Sequence, residues 1–72
     1  MNIEIYSKDN CSQCDMAISK ASKMKASYIV LKLGKDFSRE ELFEQFPTAR
    51  TFPQIKIDGK VIGGWDAFKA VV

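Results

Sequence analysis

A change of hydrophobic period within the first 24 residues constrains this chain more than any other feature. Ile3 and Ile5 alternate with Glu4 and Tyr6, the two-residue period of a strand. Ser7 to Asn10 are turn formers. From Ser12 onward, Cys14, Ala17, Ile18, Ala21 and Met24 recur at i, i+3, i+4, i+7 and i+10, which is one face of a helix. Asp15 in its first turn, and Lys23 and Lys25 near its end, suit the helix dipole. Residues 28–33, Tyr-Ile-Val-Leu-Lys-Leu, read as a mostly buried strand that Gly34 ends. Two strands joined by a helix of this length imply a parallel pair with a right-handed crossover.

The remaining segments extend that unit. Ser38-Arg39-Glu40-Glu41 predicts a capping box, with Ser38 as N-cap and Glu41 three residues on. Leu42, Phe43 and Phe46 would face inward from the short helix that follows, which stops before Pro47. Gln54–Ile57 and Lys60–Ile62 flank Asp58-Gly59, a hairpin whose type I′ turn needs two positive φ angles. Gly63-Gly64 breaks the second of these strands, and Trp65 to Val72 forms a final short helix. Phe68 and either Val71 or Val72 would point inward from it. The predicted order is β-α-β-α-β-β-α: an α/β fold with a mixed four-stranded sheet and helices on both faces. A chain of 72 residues holds one domain, spanning 1–72, and 46% hydrophobic content argues against disorder.

Several function classes fall away on composition. The net charge is +2, and the lysines are scattered, so nothing marks a nucleic-acid or polyanion binder. No apolar run approaches about 18 residues, the length of a membrane span. Met1-Asn2-Ile3-Glu4-Ile5-Tyr6 has no basic region followed by an apolar stretch, so no signal peptide is expected. A cytoplasmic location follows as the expectation, and structural disulfides are rare there. The chain has no His, which excludes Cys₂His₂ zinc sites and His-dependent nucleophilic catalysis. It has only two cysteines, at 11 and 14.

Those two form a Cys-x-x-Cys pair, Cys11-Ser12-Gln13-Cys14, where the first strand's loop opens the first helix. A thiolate there meets unpaired backbone N–H groups and the positive end of the dipole, and both favour the charged form. Cys11 is therefore the expected nucleophile. Cys14 lies on the apolar face and would resolve a mixed disulfide by attacking Cys11. Lys8 adds positive charge nearby, and Asp9 opposes it. The residues alone also fit half of an intermolecular metal site, or two inert cysteines.

The chain resembles the glutaredoxins of the thioredoxin superfamily in three segments, and the compact phage-type members in length. Tyr6-Ser7-Lys8-Asp9-Asn10-Cys11-Ser12-Gln13-Cys14 is similar to the family's Tyr-Thr-Lys-x-x-Cys-Pro-Tyr-Cys. Thr51-Phe52-Pro53 is similar to Thr-Val-Pro, and Ile62-Gly63-Gly64-Trp65-Asp66 to Ile-Gly-Gly-x-Asp. The resemblance implies a thioredoxin-like fold and a cis bond before Pro53, with the backbone of Phe52 beside the cysteines. It implies glutathione as reductant and bound co-substrate, with contacts from Lys8, Gln13, Phe52, Pro53, Gly64, Trp65 and Asp66. Lys8 would meet the glycyl carboxylate. The N–H groups of Trp65 and Asp66 would meet the γ-glutamyl carboxylate, and the Asp66 side chain its ammonium group. Read without the family, Pro53 simply begins a strand, Asp66 is a first-turn helix acid and Lys8 is a solvated loop lysine. Arg50 is a further candidate for touching glutathione or a partner.

The implied activity is reduction of protein disulfides and glutathione mixed disulfides, with ribonucleotide reductase as one recipient. A monomer without a bound metal is expected. Ser12-Gln13 replaces the family's Pro-Tyr, and two alternatives rest on that. Some redoxins with Gln before the second Cys are reduced by thioredoxin reductase. Some glutaredoxins with Ser after the first Cys carry a [2Fe–2S] cluster between two chains and two glutathiones.

Overall fold

Strand β1 (Asn2–Ser7) is the centre from which the fold is built, and its alternation decides what lies on either side. The computed structural model describes residues 1–71. Ile3 and Ile5 are fully buried on one face of β1, and Tyr6 is buried on the other. β1 pairs in parallel with β2 (Ser27–Lys32) and antiparallel with β3 (Gln54–Ile57), which pairs antiparallel with β4 (Lys60–Gly63). The sheet order is β2-β1-β3-β4. The parallel pair is joined by α1 (Ser12–Lys23), as the period change required. α2 (Arg39–Gln45) and α3 (Trp65–Lys69) complete the expected order. No helix among the described residues is long and apolar enough to cross a membrane.

The two faces of the sheet carry two cores. On one, Ile3, Ile5 and Ile55 pack with Ala17 and Ala21 of α1 and Phe68 of α3. Phe68 is completely buried, and Val71 packs at the margin of the same cluster; Val72 lies outside the described residues. On the other face, Tyr6 meets Phe37 and Phe46 edge-on, at 5.2 and 5.0 Å between centroids, with Leu42 beside them. The Tyr6 hydroxyl donates to Oε1 of Gln45 at 2.9 Å. Burial, reinforced by the Glu4 carboxylate, pushes the Tyr6 phenol above its ordinary 10.0.

Local signals set the joints. Ser38 Oγ accepts the N–H of Glu41 at 3.2 Å while the Glu41 carboxylate accepts the N–H of Ser38 at 3.0 Å, a complete capping box. Asp58 and Gly59 both have positive φ, 52° and 81°, as the type I′ turn demands. The Asp58 carboxylate also accepts the N–H of Asn2 at 2.8 Å, tying the hairpin to the start of β1.

Three sequence expectations need correction. β2 is not mostly buried: it is an edge strand, so Ser27, Tyr28 and Ile29 are exposed and only Val30 and Leu31 are half-covered. Phe43 does not face inward, because Leu42 and Phe46, four apart, take the buried stripe and leave Phe43 about half exposed. The last helix ends at Lys69 rather than running to the chain's end.

Candidate functional site

Cys11 is the N-cap of α1, with extended backbone (φ −127°, ψ 103°), and its sulfur accepts the N–H of Cys14 at 3.3 Å. Asn10, the residue before it, takes φ 55°, a left-handed turn that Asn tolerates better than most residues. That turn swings the chain from the end of β1 into α1. The sulfurs of Cys11 and Cys14 are joined as a disulfide, with Cα atoms 5.2 Å apart. The two halves of the pair differ sharply in access. Cys14 is 1% exposed, one turn inside the helix, while Cys11 is half-buried and borders a cleft.

The far wall of the cleft comes from the segment ahead of β3. The Phe52–Pro53 bond is cis, and the Phe52 carbonyl oxygen lies 3.9 Å from the Cys11 sulfur. Gln54 is buried and donates from Nε2 to the Thr51 carbonyl at 2.7 Å, which braces this segment against β3. The Phe52 ring stacks on Phe37, with centroids 6.4 Å apart and planes at 28°.

The cleft has a volume of about 390 Å³ and is lined by Lys8, Asn10, Cys11, Ser12, Gln13, Arg50, Thr51 and Phe52. Its charge is one-sided, with two cations and no carboxylate among the lining residues. Asp9, expected to oppose a thiolate, is instead paired with Lys32 at 3.3 Å. A negative group entering beside Cys11 therefore meets Lys8 and Arg50 without a facing acid.

Lys8, Cys11, Gln13 and Phe52 thus share one cleft, with Pro53 buried behind it. Gly64 lines an adjoining hollow that shares Arg50 and Thr51 with the first. A Cβ on Gly64 would meet the Pro53 carbonyl and the Thr51 hydroxyl at 3.5 Å each, an ordinary contact. Of the pair Gly63-Gly64 it is Gly63, at φ 126°, whose conformation a side chain would strain. Gly64 caps α3 without any side-chain hydrogen bond to the first N–H groups. The Trp65 ring is not among the residues lining the cleft; it meets Phe68 edge-on at 6.3 Å, at the margin of the first core. The Asp66 carboxylate is exposed and paired with Lys69 at 3.3 Å.

Arg50, the further candidate, lines the cleft; Asn10, Ser12 and Thr51 line it too and are not among the expected contact residues. For Thr51 the available signal was its place in the Thr51-Phe52-Pro53 segment, whose Phe52 backbone was expected beside the cysteines. Among the described residues, no group of three or more His, Cys, Asp or Glu side chains is placed to hold a metal ion.

Comparisons with known proteins agree on one family. The family model for Glutaredoxin matches residues 3–62. Glutaredoxin 3 of Escherichia coli strain K12 is 37% identical over 71 residues, spanning 97% of this chain and 84% of that protein. Among solved structures, Escherichia coli glutaredoxin matches with a TM-score of 0.71 at 23% identity, covering 97% of this chain and 91% of the other. Glutaredoxin 1 from Francisella tularensis, solved in complex with cacodylate, matches at 0.67 and 22% identity, covering 96% and 88%. These two structural likenesses show a shared thioredoxin-like fold.

Proposed function

Because the chain belongs to the glutaredoxin family of thiol-disulfide oxidoreductases, we propose that it reduces protein disulfides and glutathione mixed disulfides, with glutathione as its reductant. One domain over residues 1–72 would do this work. The observation that carries the reading is the placement of Cys11: a helix N-cap sulfur that accepts a backbone N–H and borders a cationic, acid-free cleft.

The chemistry starts from the reduced pair. The Cys11 thiolate attacks one sulfur of the substrate disulfide, and the other sulfur leaves as a thiolate that takes up a proton. Cys14 then gives up its proton and attacks the Cys11 sulfur, releasing the second substrate thiol and closing the Cys11–Cys14 disulfide. One glutathione thiolate reopens that bond at Cys11. A second attacks the resulting mixed disulfide, leaving glutathione disulfide and the dithiol. The helix N-terminus serves each step in which Cys11 leaves or attacks as an anion.

Glutathione would lie with its cysteine beside Cys11, its backbone along that of Phe52, and its glycyl carboxylate toward Lys8 and Gln13. Its γ-glutamyl carboxylate would meet the N–H groups of Trp65 and Asp66 beyond Gly64. For Asp66 to take the ammonium group, it must turn from Lys69. An exposed pair of that kind holds weakly. Ribonucleotide reductase is a fitting recipient among protein disulfides.

The test is a pair of serine variants with separately supplied reductants. Cys11→Ser should abolish turnover. Cys14→Ser should stop protein-disulfide reduction and retain reduction of glutathione mixed disulfides. Full disulfide reductase activity in Cys11→Ser would refute the assignment. Turnover with thioredoxin reductase but not with glutathione would refute the choice of reductant.

A further inference from the structure

The mechanism uses the backbone of Phe52 and leaves its ring unaccounted for. Phe52 stands where the family pattern has the smaller Val, so the chain places an aromatic side chain in the wall of its own cleft. A row of rings runs from the core to that wall: Tyr6 against Phe37 at 5.2 Å, and Phe37 against Phe52 at 6.4 Å. At the end of the row, the Lys8 ammonium sits over the Phe52 ring, 5.7 Å from its centroid. Lys8 itself is on an exposed loop, and no carboxylate of the described residues lies within 4.0 Å of its ammonium. Left alone, such a side chain would sweep through many rotamers. The negative face of an aromatic ring narrows that range, and an aliphatic side chain has no comparable face.

We infer that Phe52 is a positioning residue acting through Lys8: its ring holds the ammonium over the cleft beside Cys11, ready for the anionic end of the thiol co-substrate. The inference rests on the glutathione reading above and adds a determinant to it. Phe37 is part of the device, because it anchors the ring from the buried side. The benefit falls on binding, since the charge is fixed before the ligand arrives and less freedom is lost on association. An exposed cation–π contact corresponds to about a two- to fivefold change in an equilibrium constant.

The experiment is a double-mutant cycle on the KM for a glutathionylated peptide, using wild type, Phe52→Leu, Lys8→Met and the double variant. Phe52→Leu should raise KM about two- to fivefold when Lys8 is present. It should have almost no further effect in the Lys8→Met background. Phe52→Tyr, which keeps a ring, should restore the wild-type KM. In NMR spectra the Lys8 ε-methylene protons should be displaced upfield by the ring, with the displacement lost in Phe52→Leu and kept in Phe52→Tyr. A general loosening of the wall by the Leu variant would penalise both backgrounds equally, and that result overturns the inference. So does an undisplaced Lys8 signal in wild type. If wild type is inert with glutathione while the Lys8 signal still follows the ring, the positioning stands and the glutathione reading alone fails.

Discussion

Replacing Lys20 by Met should destabilise the protein through α3, the element furthest from being able to hold itself. A five-residue helix is too short to persist on its own propensity, so its place depends on tertiary anchors. Phe68 supplies one, fully buried in the first core. Lys20 of α1 supplies the other. Its ammonium donates to the carbonyl of Lys69 at 3.2 Å and to that of Val71, and lies 5.4 Å from the Phe68 centroid. It therefore closes the C-terminal end of α3, where carbonyls lack helical partners. Hydrogen bonds to a charged donor contribute about 1.5–3 kcal/mol when sheltered, and a cation–π contact about 0.5–1. Lys20 is only half-buried, and fixing its side chain costs about 1.5–2 kcal/mol, so the net loss in Lys20→Met is about 1–2 kcal/mol. For a chain of this size that lowers Tm by roughly 5–15 °C. The assay is thermal unfolding of the oxidised protein followed by far-ultraviolet circular dichroism. The urea midpoint should fall in parallel, with an unchanged m-value. On the proposed glutathione pose, which uses the N–H groups of Trp65 and Asp66 at the start of α3, the KM for glutathione should rise as well. A Lys20→Met protein that melts within about 2 °C of wild type would refute the reasoning, since even the lower limit exceeds that.

Three further outcomes follow from particular contacts. The raised Tyr6 phenol means that the unfolded chain loses this proton first as pH climbs. The folded state then holds the extra proton, so stability falls with rising pH from about 10.0 upward through the folded value; Tyr6→Phe should flatten that fall in urea titrations. Asp58→Ala removes both the acceptor for the Asn2 N–H and a residue tolerant of φ 52°, and should cost about 1–2 kcal/mol in equilibrium unfolding, with Asp58→Asn milder. Ser38→Ala breaks one half of the capping box and should cost about 1 kcal/mol, with the loss recovered in Ser38→Thr.

What the sequence disclosed divides along a physical line. Features set by residues close in the chain were legible: the alternation in β1, the Ser38–Glu41 box, the Asp58-Gly59 turn, and the unequal depth of Cys11 and Cys14 along one helix. Features set by which strands become neighbours were not. The run 28–33 has the composition of an interior strand, yet the sheet order puts it on the rim, because β1 accepts β3 on its other side. Phe43 has the right chemistry for a core and the wrong angle relative to Leu42 and Phe46. The Lys8–Phe52 and Lys20–Phe68 contacts join residues more than forty positions apart, and no periodicity points to either. Arg50 and Thr51 reach the cleft because the segment before the cis bond is folded against it.

The depth of Cys14 has a consequence for the bookkeeping of intermediates. A reagent arriving from solvent finds a single sulfur, so adducts cannot distribute between two positions and no isomeric dead end has to be undone. A thiol joining the pair from solvent does so at Cys11, and the sulfur that can release it lies one helical turn away. A site of two equally open sulfurs would yield a mixture; this one yields a sequence of states with a fixed order.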